Sequence, residues 1–390
     1  MARQPLFVVH VIHHLVIGGM ENGVVNLINR MPADRFRHAV ICIEDFSDFR
    51  QRIENPAVEV VAMHRSRIGA WRLRWRLWRL LRRWRADIVH SRNLSGLDAL
   101  LPARLAGCRT VHSEHGLDVD NLRGQAAKPA LLRRLHAPLV DRYVSVSRHL
   151  LGLMVDVWRL PRQRIQQIYN GVDTARFQPA ARPAHAHALP EGLRGEGLFV
   201  VGTVGRAQAV KDQATLLRAA AMLLQRRPAL RERLRLALVG DGPLLGDLKA
   251  LAASLGVDGL TWFAGARSDV AALIQGFDLF VLPSLNEGIS NTLLEAMATG
   301  LPLLATAVGG NLELLEPGVV GDLFTPGDCD RLAHLIEAYV DDPSLGAAHG
   351  AAARQRAVQH FSLQAMMTAY GRLYEGLKAP TPQVGGDGAP

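Results

Sequence analysis

Residues Phe199–Asp212 read FVVGTVGRAQAVKD, and this stretch predicts a buried strand that runs through a glycine-rich turn into a helix. Gly202 and Gly205 let the main chain approach a ligand closely. Arg206 and Lys211 place two cations beside a helix N-terminus, an arrangement that suits a diphosphate. An ordinary glycine-rich turn with surface charges would have the same sequence, so the stretch predicts a parallel α/β fold and leaves the ligand open.

Outward from this stretch, short apolar runs alternate with amphipathic helical patterns, which is typical of parallel βαβ units. The strands predicted in the first half are Phe7–Ile12, His38–Ile43, Val58–Ala62, Asp87–His90, Thr110–Glu114, Tyr143–Ser147 and Ile165–Ile168. Those predicted in the second half are Phe199–Val204, Arg235–Val239, Thr261–Phe263, Leu279–Leu282, Leu303–Ala305 and Gly321–Phe324. The predicted helices include Glu21–Asn29, Leu94–Leu105, Gln213–Gln225, Asn291–Thr299, Arg331–Val340, Leu345–Gln359 and Leu363–Leu377.

The two series predict an α/β protein with two Rossmann-like, doubly wound parallel-sheet domains that face a cleft. We assign residues 1–178 to the first domain and 198–360 to the second, joined by a linker at 179–197 that is rich in Pro, Ala and His. A helix within 361–378 is expected to pack back toward the first domain, and the Pro/Gly-rich tail 379–390 is expected to be disordered. The cleft is the natural ligand site.

Composition removes several classes of protein. The chain has 390 residues, of which 48% are hydrophobic and 21% charged, and this balance excludes a disordered, collagenous or coiled-coil chain. Cys42, Cys108 and Cys329 lie far apart, so they predict neither a disulfide framework nor a zinc site and favour a reducing cytoplasm. Leu6–Met20 is uncharged, but histidines interrupt it, and it reads as a buried strand rather than a signal peptide. We therefore expect a soluble, cytoplasmic protein.

A second stretch, Pro283–Asn291, reads PSLNEGISN and is followed on the next helix by Glu295. Glu287 and Glu295 stand eight positions apart, one in a loop after a strand and one about a turn into the helix. Carboxylates bind pairs of hydroxyl groups, and a sugar nucleotide has such pairs on its ribose and on its sugar. In the alternative reading, Glu287 caps the turn and Glu295 lies on the helix without a ligand.

These patterns together resemble the retaining GT-B glycosyltransferases of family 4, and the resemblance covers nearly the whole chain. The matching segments are Glu287-x7-Glu295, Gly202-x-x-Gly205-Arg206 with Lys211-Asp212, Asn170-Gly171-Val172-Asp173, Gly240-Asp241-Gly242-Pro243, Pro283-Ser284 and Gly309-Gly310-Asn311. Within the family, the chain is most similar to transferases of bacterial exopolysaccharide clusters, including those that accompany PEP-CTERM/exosortase systems.

The resemblance implies a role for each matching residue of the second domain. Arg206 and Lys211 would neutralise the donor diphosphate as the glycosidic bond breaks. Glu295 would bind the ribose hydroxyls, and Glu287 would hold hydroxyls of the transferred sugar. The further donor-binding residues implied in this domain are Gly288, Ile289, Asn291 and, at the base, Arg267.

In the first domain the resemblance implies that Gly18 and Gly19 touch the donor phosphates. His115 comes at the end of a strand, in Ser113-Glu114-His115-Gly116, and this position alone predicts that it faces the sugar in the cleft. The expected catalytic residues are thus His115, Glu287, Arg206 and Lys211. No enzyme nucleophile is expected, because the spacing of the two glutamates does not demonstrate the carboxylate geometry of a retaining glycosidase. Asn93 and Ser147 also end strands, and for them we prefer a structural role.

No cofactor or catalytic metal is implied. Asp118-Val119-Asp120 has the spacing of a metal-binding DxD motif, but it follows His115 in a loop and lies in the wrong fold context for one.

The net charge of +9 belongs to one segment. Residues 65–85 contain nine arginines and no acidic residue, and the rest of the chain is balanced. Within a helix at 69–85, one face would carry Leu73, Leu77, Leu80 and Trp84 toward the core. The other face would carry the residues expected to contact a membrane, namely Trp71, Trp75, Trp78, Arg72, Arg74, Arg79 and Arg82. We interpret it as an interfacial helix for the anionic inner face of the cytoplasmic membrane; the alternative is a solvated basic face whose tryptophans stack on arginines.

The sequence thus predicts a retaining transferase that moves a hexosyl or N-acetylhexosaminyl group from a nucleotide-sugar donor to a glycan or lipid-linked acceptor. Two alternatives remain. A nucleotide-sugar epimerase of similar fold would release free nucleotide without an acceptor. A non-enzymatic nucleic-acid-binding protein could use the basic helix, but the arginines are confined to that helix and no RNA- or DNA-binding motif accompanies them, so we expect no nucleic-acid partner.

Overall fold

A computed structural model describes residues 4–116, 124–179 and 188–377. Its first half forms a seven-stranded, wholly parallel sheet in the order β3-β2-β1-β4-β5-β6-β7. The strands are β1 (Leu6–Ile12), β2 (Phe36–Cys42), β3 (Val60–Ala62), β4 (Ile88–Arg92), β5 (Arg109–Glu114), β6 (Arg142–Ser145) and β7 (Ile165–Gln167). The helices are α1 (Gly19–Arg30), α2 (Arg65–Trp84), α3 (Asn93–Gly96), α4 (Leu100–Leu105), α5 (Ala127–His136) and α6 (Arg148–Gly152).

The second half forms a six-stranded parallel sheet in the order β10-β9-β8-β11-β12-β13. Its strands are β8 (Phe199–Val204), β9 (Leu234–Val239), β10 (Thr261–Gly265), β11 (Leu279–Leu282), β12 (Leu303–Thr306) and β13 (Gly321–Phe324). Its helices are α7 (Gln213–Arg226), α8 (Leu245–Ser254), α9 (Val270–Ile274), α10 (Asn291–Thr299), α11 (Asn311–Leu314), α12 (Cys329–Asp341), α13 (Pro343–His360) and α14 (Leu363–Glu375).

Both sheets reverse their strand order beside their first strand, at β1/β4 and at β8/β11, and ligands of such sheets bind at the carboxyl ends of the strands there. The predicted fold, two Rossmann-like parallel-sheet domains, is confirmed. Each predicted strand is present, because strands that are covered on both faces read as apolar runs. Every residue of β1, for example, is buried.

The chain crosses between the two domains twice, and the crossings run side by side. The amide of Val172 donates to the carbonyl of Phe361 (2.8 Å), and the amide of Leu363 donates to the carbonyl of Val172 (2.9 Å). After the second crossing, α14 packs against the first sheet, where Tyr370 and Tyr374 join a core that includes β1 and β4 residues. Helix α14, the last helix of the described residues, is therefore part of the first domain's core.

The segment between the domains is only partly described. Residues 188–197 lie against the second domain: Leu189 and Leu193 are buried in its core, and Arg235 donates to the carbonyl of Gly192 (3.1 Å). The remainder of the expected linker, residues 180–187, and the expected tail, 379–390, lie outside the described residues.

Helix α2 departs in two ways from its prediction. It begins at Arg65 and is interrupted at Gly69, whose φ of 67° breaks the helical path. Leu81, rather than Leu80, is fully buried, because the buried stripe continues from Leu73 and Leu77 in steps of four residues. The predicted core residues Leu80 and Trp84 are half-buried at the margin of this stripe. No helix of the described residues is long and apolar enough to span a membrane.

Candidate functional site

Three side chains meet beside the strand switch point of the second domain. The turn after β8 delivers Lys211, and the loop after β11 delivers Ser284 and Glu287. The Lys211 ammonium donates to Glu287 Oε1 at 2.6 Å, and the Ser284 hydroxyl donates to the same oxygen at 2.7 Å. Glu287 is only 9% exposed, so the cation and the hydroxyl satisfy a carboxylate that burial would otherwise penalise.

Two glycines hold the Glu287 loop from behind. The Gly310 amide donates to the carbonyl of Glu287 (3.1 Å). Gly309 has a φ of +49°, and a Cβ atom there would lie 1.8 Å from the same carbonyl oxygen. Only glycine therefore allows the Gly309-Gly310 turn to approach the loop this closely.

The turn after β9 supports the glycine-rich turn after β8 in the same manner. A Cβ atom at Gly240 would lie 2.1 Å from the carbonyl oxygen of Gly205, and one at Gly242 would lie 2.4 Å from that of Ala207. Arg206, which lies between Gly205 and Ala207 in the sequence, is exposed, and the side chain of Lys211 is 22% exposed. Two cations thus remain accessible at this switch point.

The first domain contacts this region through two points of main chain. A Cβ atom at Gly288 would lie 2.2 Å from the carbonyl oxygen of His115. The side-chain amide of Asn291, at the start of α10, donates to the carbonyl of Gly19 (2.9 Å) and accepts from the side-chain amide of Asn170 (2.8 Å). Gly19 and Asn291, both predicted donor-binding residues, are therefore joined across the cleft. Gly18, which precedes Gly19, is the N-cap residue of α1.

His115 follows β5 and is held by polar neighbours. Its amide donates to the side-chain oxygen of Asn93 (2.9 Å), and its ring Nε2 lies 2.8 Å from the Ser113 hydroxyl. Burial, followed by the charge of Arg92, lowers the pKa of His115 to about 3, so the ring is neutral. Asn93 thus has a structural contact, and Ser147 caps α6 by accepting from the Leu150 amide (3.1 Å).

Glu295 lies one turn into α10 and lines a cleft of about 350 Å³ between the two domains. Burial raises the pKa of Glu295 to about 7, although the charges of Arg176 and Arg52 oppose the shift. The described residues that line the cleft include neither Arg206, Lys211 nor Glu287. The structure therefore groups Glu295 with arginines of the cleft, and the ribose-binding role stays a prediction.

Two other predicted donor residues have distinct surroundings. Arg267 is paired with Asp269 by two hydrogen bonds, of 2.8 and 2.6 Å, at the surface after β10. Ile289 is buried in the core that underlies α10. Among the described residues, no group of three or more His, Cys, Asp or Glu side chains is arranged to hold a metal ion, and Asp118 and Asp120 lie outside that part of the chain.

The tryptophans of α2 face outward in part. Trp71 is 80% exposed and Trp75 is 51% exposed, whereas Trp78 is half-buried. Arginines stack on two of them, since Arg79 lies 4.6 Å from the ring centre of Trp75 and Arg82 lies 5.6 Å from that of Trp78. Arg74 forms an ion pair with Asp98 (3.1 Å), and Arg72 is exposed.

Sequence reasoning missed a buried polar network in the first sheet. Its members are His10, His38, His90, Arg92, Ser113 and Tyr374. The signal was present, because polar residues occur inside apolar strands, but their partners come from strands and a helix far away in sequence.

Comparison with known proteins identifies the family. A family model for "Glycosyl transferases group 1" matches residues 189–356, and one for "Glycosyltransferase Family 4" matches residues 17–176. The chain is 34% identical to a D-inositol 3-phosphate glycosyltransferase of Salinispora arenicola over 70% of its length, and it spans 64% of that relative. It is 33% identical to D-inositol 3-phosphate glycosyltransferase 1 of Catenulispora acidiphila, covering 70% of this chain and 68% of the relative.

Two further matches extend over most of the chain. An Escherichia coli protein named UDP-Gal:alpha-D-GlcNAc-diphosphoundecaprenol alpha-1,3-galactosyltransferase is 26% identical, covering 85% of this chain and 87% of that protein. The crystal structure of Anabaena Alr3699/HepE, solved with UDP and glucose, superposes with a TM-score of 0.81 at 21% identity, covering 95% of this chain and all of that one. The structural match shows a shared fold, and the family models and the relatives above show that the chain belongs to the family 4 glycosyltransferases.

Proposed function

We propose that this chain is a retaining glycosyltransferase that moves a hexosyl or N-acetylhexosaminyl group from a nucleoside-diphosphate sugar to a glycan or lipid-linked acceptor. The observation that carries the proposal is the Lys211–Glu287 pair beside Arg206 at the strand switch point. It combines cations for a diphosphate with a carboxylate for sugar hydroxyls, next to the main chain of the first domain at His115.

The transfer needs charge stabilisation on the leaving group. The bond between the anomeric carbon and the diphosphate oxygen breaks, and the acceptor hydroxyl oxygen bonds to that carbon on the face from which the diphosphate leaves. The hydroxyl proton passes to the departing phosphate oxygen. Arg206 and Lys211 would stabilise the negative charge that develops there, and no enzyme nucleophile or metal takes part.

Names among the relatives support the choice of substrates. The Escherichia coli relative is named for a UDP-linked donor and a diphosphoundecaprenol-linked acceptor, and the Anabaena protein was solved with UDP. These names favour a uridine diphosphate donor and a lipid-linked acceptor. A role in the synthesis of a bacterial cell-surface polysaccharide or exopolysaccharide, including a PEP-CTERM/exosortase-associated one, is part of the proposal and rests on the sequence resemblance alone.

Calorimetric titration of the purified protein with UDP, GDP and ADP tests the donor site. One diphosphate should bind, and both Arg206→Ala and Glu295→Ala should weaken its binding. Arg218→Ala, which removes an exposed arginine from α7, should leave the affinity unchanged. Absence of binding to all three nucleotides, or equal binding by all variants, would contradict the proposal. Consumption of the sugar nucleotide without an acceptor would instead favour the epimerase.

We further propose that α2 attaches the protein to the inner face of the cytoplasmic membrane. In support, α4 packs against α2 and carries two further exposed apolar side chains, Leu101, 42% exposed, and Leu105, 65% exposed. Exposed apolar side chains among arginines suit an anionic membrane surface, where indoles lie at the level of the headgroups. Such attachment would bring the cleft close to a lipid-linked acceptor.

Sedimentation with vesicles of anionic phospholipid tests the attachment. The parent protein should bind at moderate salt, and the double variant Trp71→Ala/Trp75→Ala should bind at least about tenfold less. Leu312→Ala/Val319→Ala removes two exposed apolar side chains from the second domain and should bind as the parent does. Equal binding by the tryptophan variant would show that the arginine-stacked tryptophans are an ordinary solvated surface.

A further inference from the structure

Arg92 is a buried cation at the centre of the polar network of the first sheet. It is 1% exposed, and among the described residues it forms no ion pair with a carboxylate. Its guanidinium instead lies 3.2 Å from His10 Nδ1 and 3.3 Å from His90 Nδ1, and it also bonds to the hydroxyl of Tyr374. Because a guanidinium only donates hydrogen bonds, every ring nitrogen that faces it must accept.

This constraint fixes the tautomer of His90. Its Nδ1 faces Arg92 and also lies 2.7 Å from the Tyr374 hydroxyl, so this nitrogen carries the lone pair. The proton of the neutral ring is then on Nε2, which lies 3.0 Å from the hydroxyl oxygen of Ser113. His90 therefore donates to Ser113.

The chain of donors continues to the domain boundary. The Ser113 oxygen accepts from His90, and its single proton has His115 Nε2, at 2.8 Å, as its acceptor among the described residues. His115 Nε2 therefore carries a lone pair, and the proton of the neutral ring is on Nδ1. That Nδ1 is buried and has no hydrogen-bond partner among the residues described.

An unpartnered buried donor is rare in folded proteins and calls for a partner. His115 Nδ1–H belongs to the residue whose carbonyl contacts Gly288, one position after Glu287 of the Lys211–Glu287 pair. The end of the donor chain thus lies on the face of the first domain that meets the proposed sugar-binding loop. A sugar has only oxygen acceptors to offer such a proton.

We propose that Arg92, His90 and Ser113 act as positioning residues that fix His115 as the Nδ1–H tautomer, so that it donates a hydrogen bond to an oxygen of the transferred sugar. The inference rests on the proposed function for the identity of the acceptor atom. The tautomer itself follows from the network alone. The role of these positioning residues differs from a purely structural one, because it determines which ring nitrogen of His115 carries the proton.

The test is ¹⁵N NMR of the full chain with labelled histidine, in which two-bond nitrogen–proton correlations report the protonated ring nitrogen. His115→Gln identifies the His115 signal by its loss. In the parent protein without ligand, His115 should carry its proton on Nδ1, whereas in Ser113→Ala its proton should be shared between the two nitrogens. A proton on Nε2 in the parent, or an unchanged Nδ1–H tautomer in Ser113→Ala, would overturn the proposal.

Three controls separate positioning from folding. Ser113→Thr keeps the hydroxyl and should keep the tautomer, as should Tyr374→Phe, since Arg92 still faces His90 Nδ1. A second donor chain runs from Arg92 through His10 to His38. His38 should therefore keep its proton on Nε2 in Ser113→Ala, Ser113→Thr and Tyr374→Phe. A changed His38 signal in Ser113→Ala together with an unchanged one in Ser113→Thr would show a general disturbance of the network and contradict selective positioning of His115.

Kinetics distinguish failure of the inference from failure of the proposed function. Ser113→Ala should lower kcat for sugar transfer about tenfold with little change in the KM of the donor, as expected when a residue orients another that contacts the substrate. Ser113→Thr should restore kcat. If the parent transfers no sugar, the proposed function fails while the NMR result still decides the tautomer. If transfer occurs and the proton is on Nε2, the inference alone fails.

Discussion

The ammonium nitrogen of Lys211 lies 2.6 Å from a carboxylate oxygen of Glu287, although the two residues are 76 positions apart in sequence. The contact joins the turn after β8 to the loop after β11, on the two sides of the strand switch point. A diphosphate that binds to Lys211 must share this ammonium group with Glu287. The carboxylate of Glu287 therefore positions Lys211, in addition to its proposed contact with the sugar.

Replacing Lys211 by alanine should weaken binding of the nucleoside diphosphate about 10- to 100-fold, because one charge-assisted hydrogen bond contributes about 1.5–3 kcal/mol. Lys211→Arg keeps the charge and should recover part of the affinity. Titration calorimetry measures both. Lys249→Ala, an exposed lysine on α8, is the control and should bind as the parent does. An unchanged affinity in Lys211→Ala would exclude contact between Lys211 and the diphosphate.

The carboxyl group of Glu295, which is partly buried at the cleft, should make stability depend on pH. Its pKa is raised by burial from 4.5 to about 7, so between these values the folded chain holds a proton that the unfolded chain has lost. Stability contributed by the neutral carboxyl is therefore present below pH 4.5 and is lost as pH rises through 7. Glu295→Gln should be more stable than the parent at pH 8, by at most about 3 kcal/mol, and this difference should shrink toward pH 4.

Urea unfolding of the parent and Glu295→Gln at several pH values measures the effect. Glu54→Gln, which removes an exposed carboxylate lining the same cleft, is the matched control. Parallel stability curves for the parent and Glu295→Gln would mean that the Glu295 carboxyl is charged and solvated in the folded protein.

Asn291→Ala should favour a more open arrangement of the two domains. Asn291 bonds to Gly19 of the first domain and to Asn170 of the crossing, and each such bond contributes about 1 kcal/mol. Small-angle X-ray scattering should show a larger radius of gyration for the variant. Asn29→Ala loses bonds to Arg52 and Glu54 within the first domain and should not change the radius. Equal radii for Asn291→Ala and the parent would show that other contacts hold the cleft.

Gly309→Ala should be strongly destabilising and should also impair binding of the diphosphate. Its Cβ atom would meet the carbonyl of Glu287 at 1.8 Å, in addition to the strain of a positive φ, and we expect a loss of about 3 kcal/mol or more. Gly318 has a φ of +72° but open space around its Cβ position, so Gly318→Ala should lose only about 1 kcal/mol. Chemical unfolding measures both variants, and equal losses would refute the close approach.

The sequence predicted the fold well because its signals are local. Strands such as Phe199–Val204 and Leu279–Leu282 are apolar runs bounded by turn residues, and the structure has them with these bounds. The glycines of the site were also recognisable, since a turn such as Gly309-Gly310 stands out in any sequence. The contacts of these glycines could not be recognised in the same way. The contact of Gly309 with Glu287, for example, depends on how β12 lies beside β11.

The interactions that the sequence could not predict are those between distant elements. His10 inside β1 interrupts an apolar run, and nothing nearby identifies its partners His38 and Arg92, which are 28 and 82 positions away. Tyr374 reaches His90 across 284 positions. Asn291 was predicted to bind the donor from its place in a motif, and its contact with the first domain emerges only when the two domains are placed together.

The position of α14 also sets an order for folding during synthesis. The second domain is complete in its core once α13 has been made, but the first sheet still lacks the helix that covers β1 and β4. On the ribosome, the core of the first domain must therefore wait for a helix that is translated after the core of the second domain. Until then Val8 and Ile88 lack the apolar side chains that α14 contributes to their core, and this face of the sheet is exposed to aggregation.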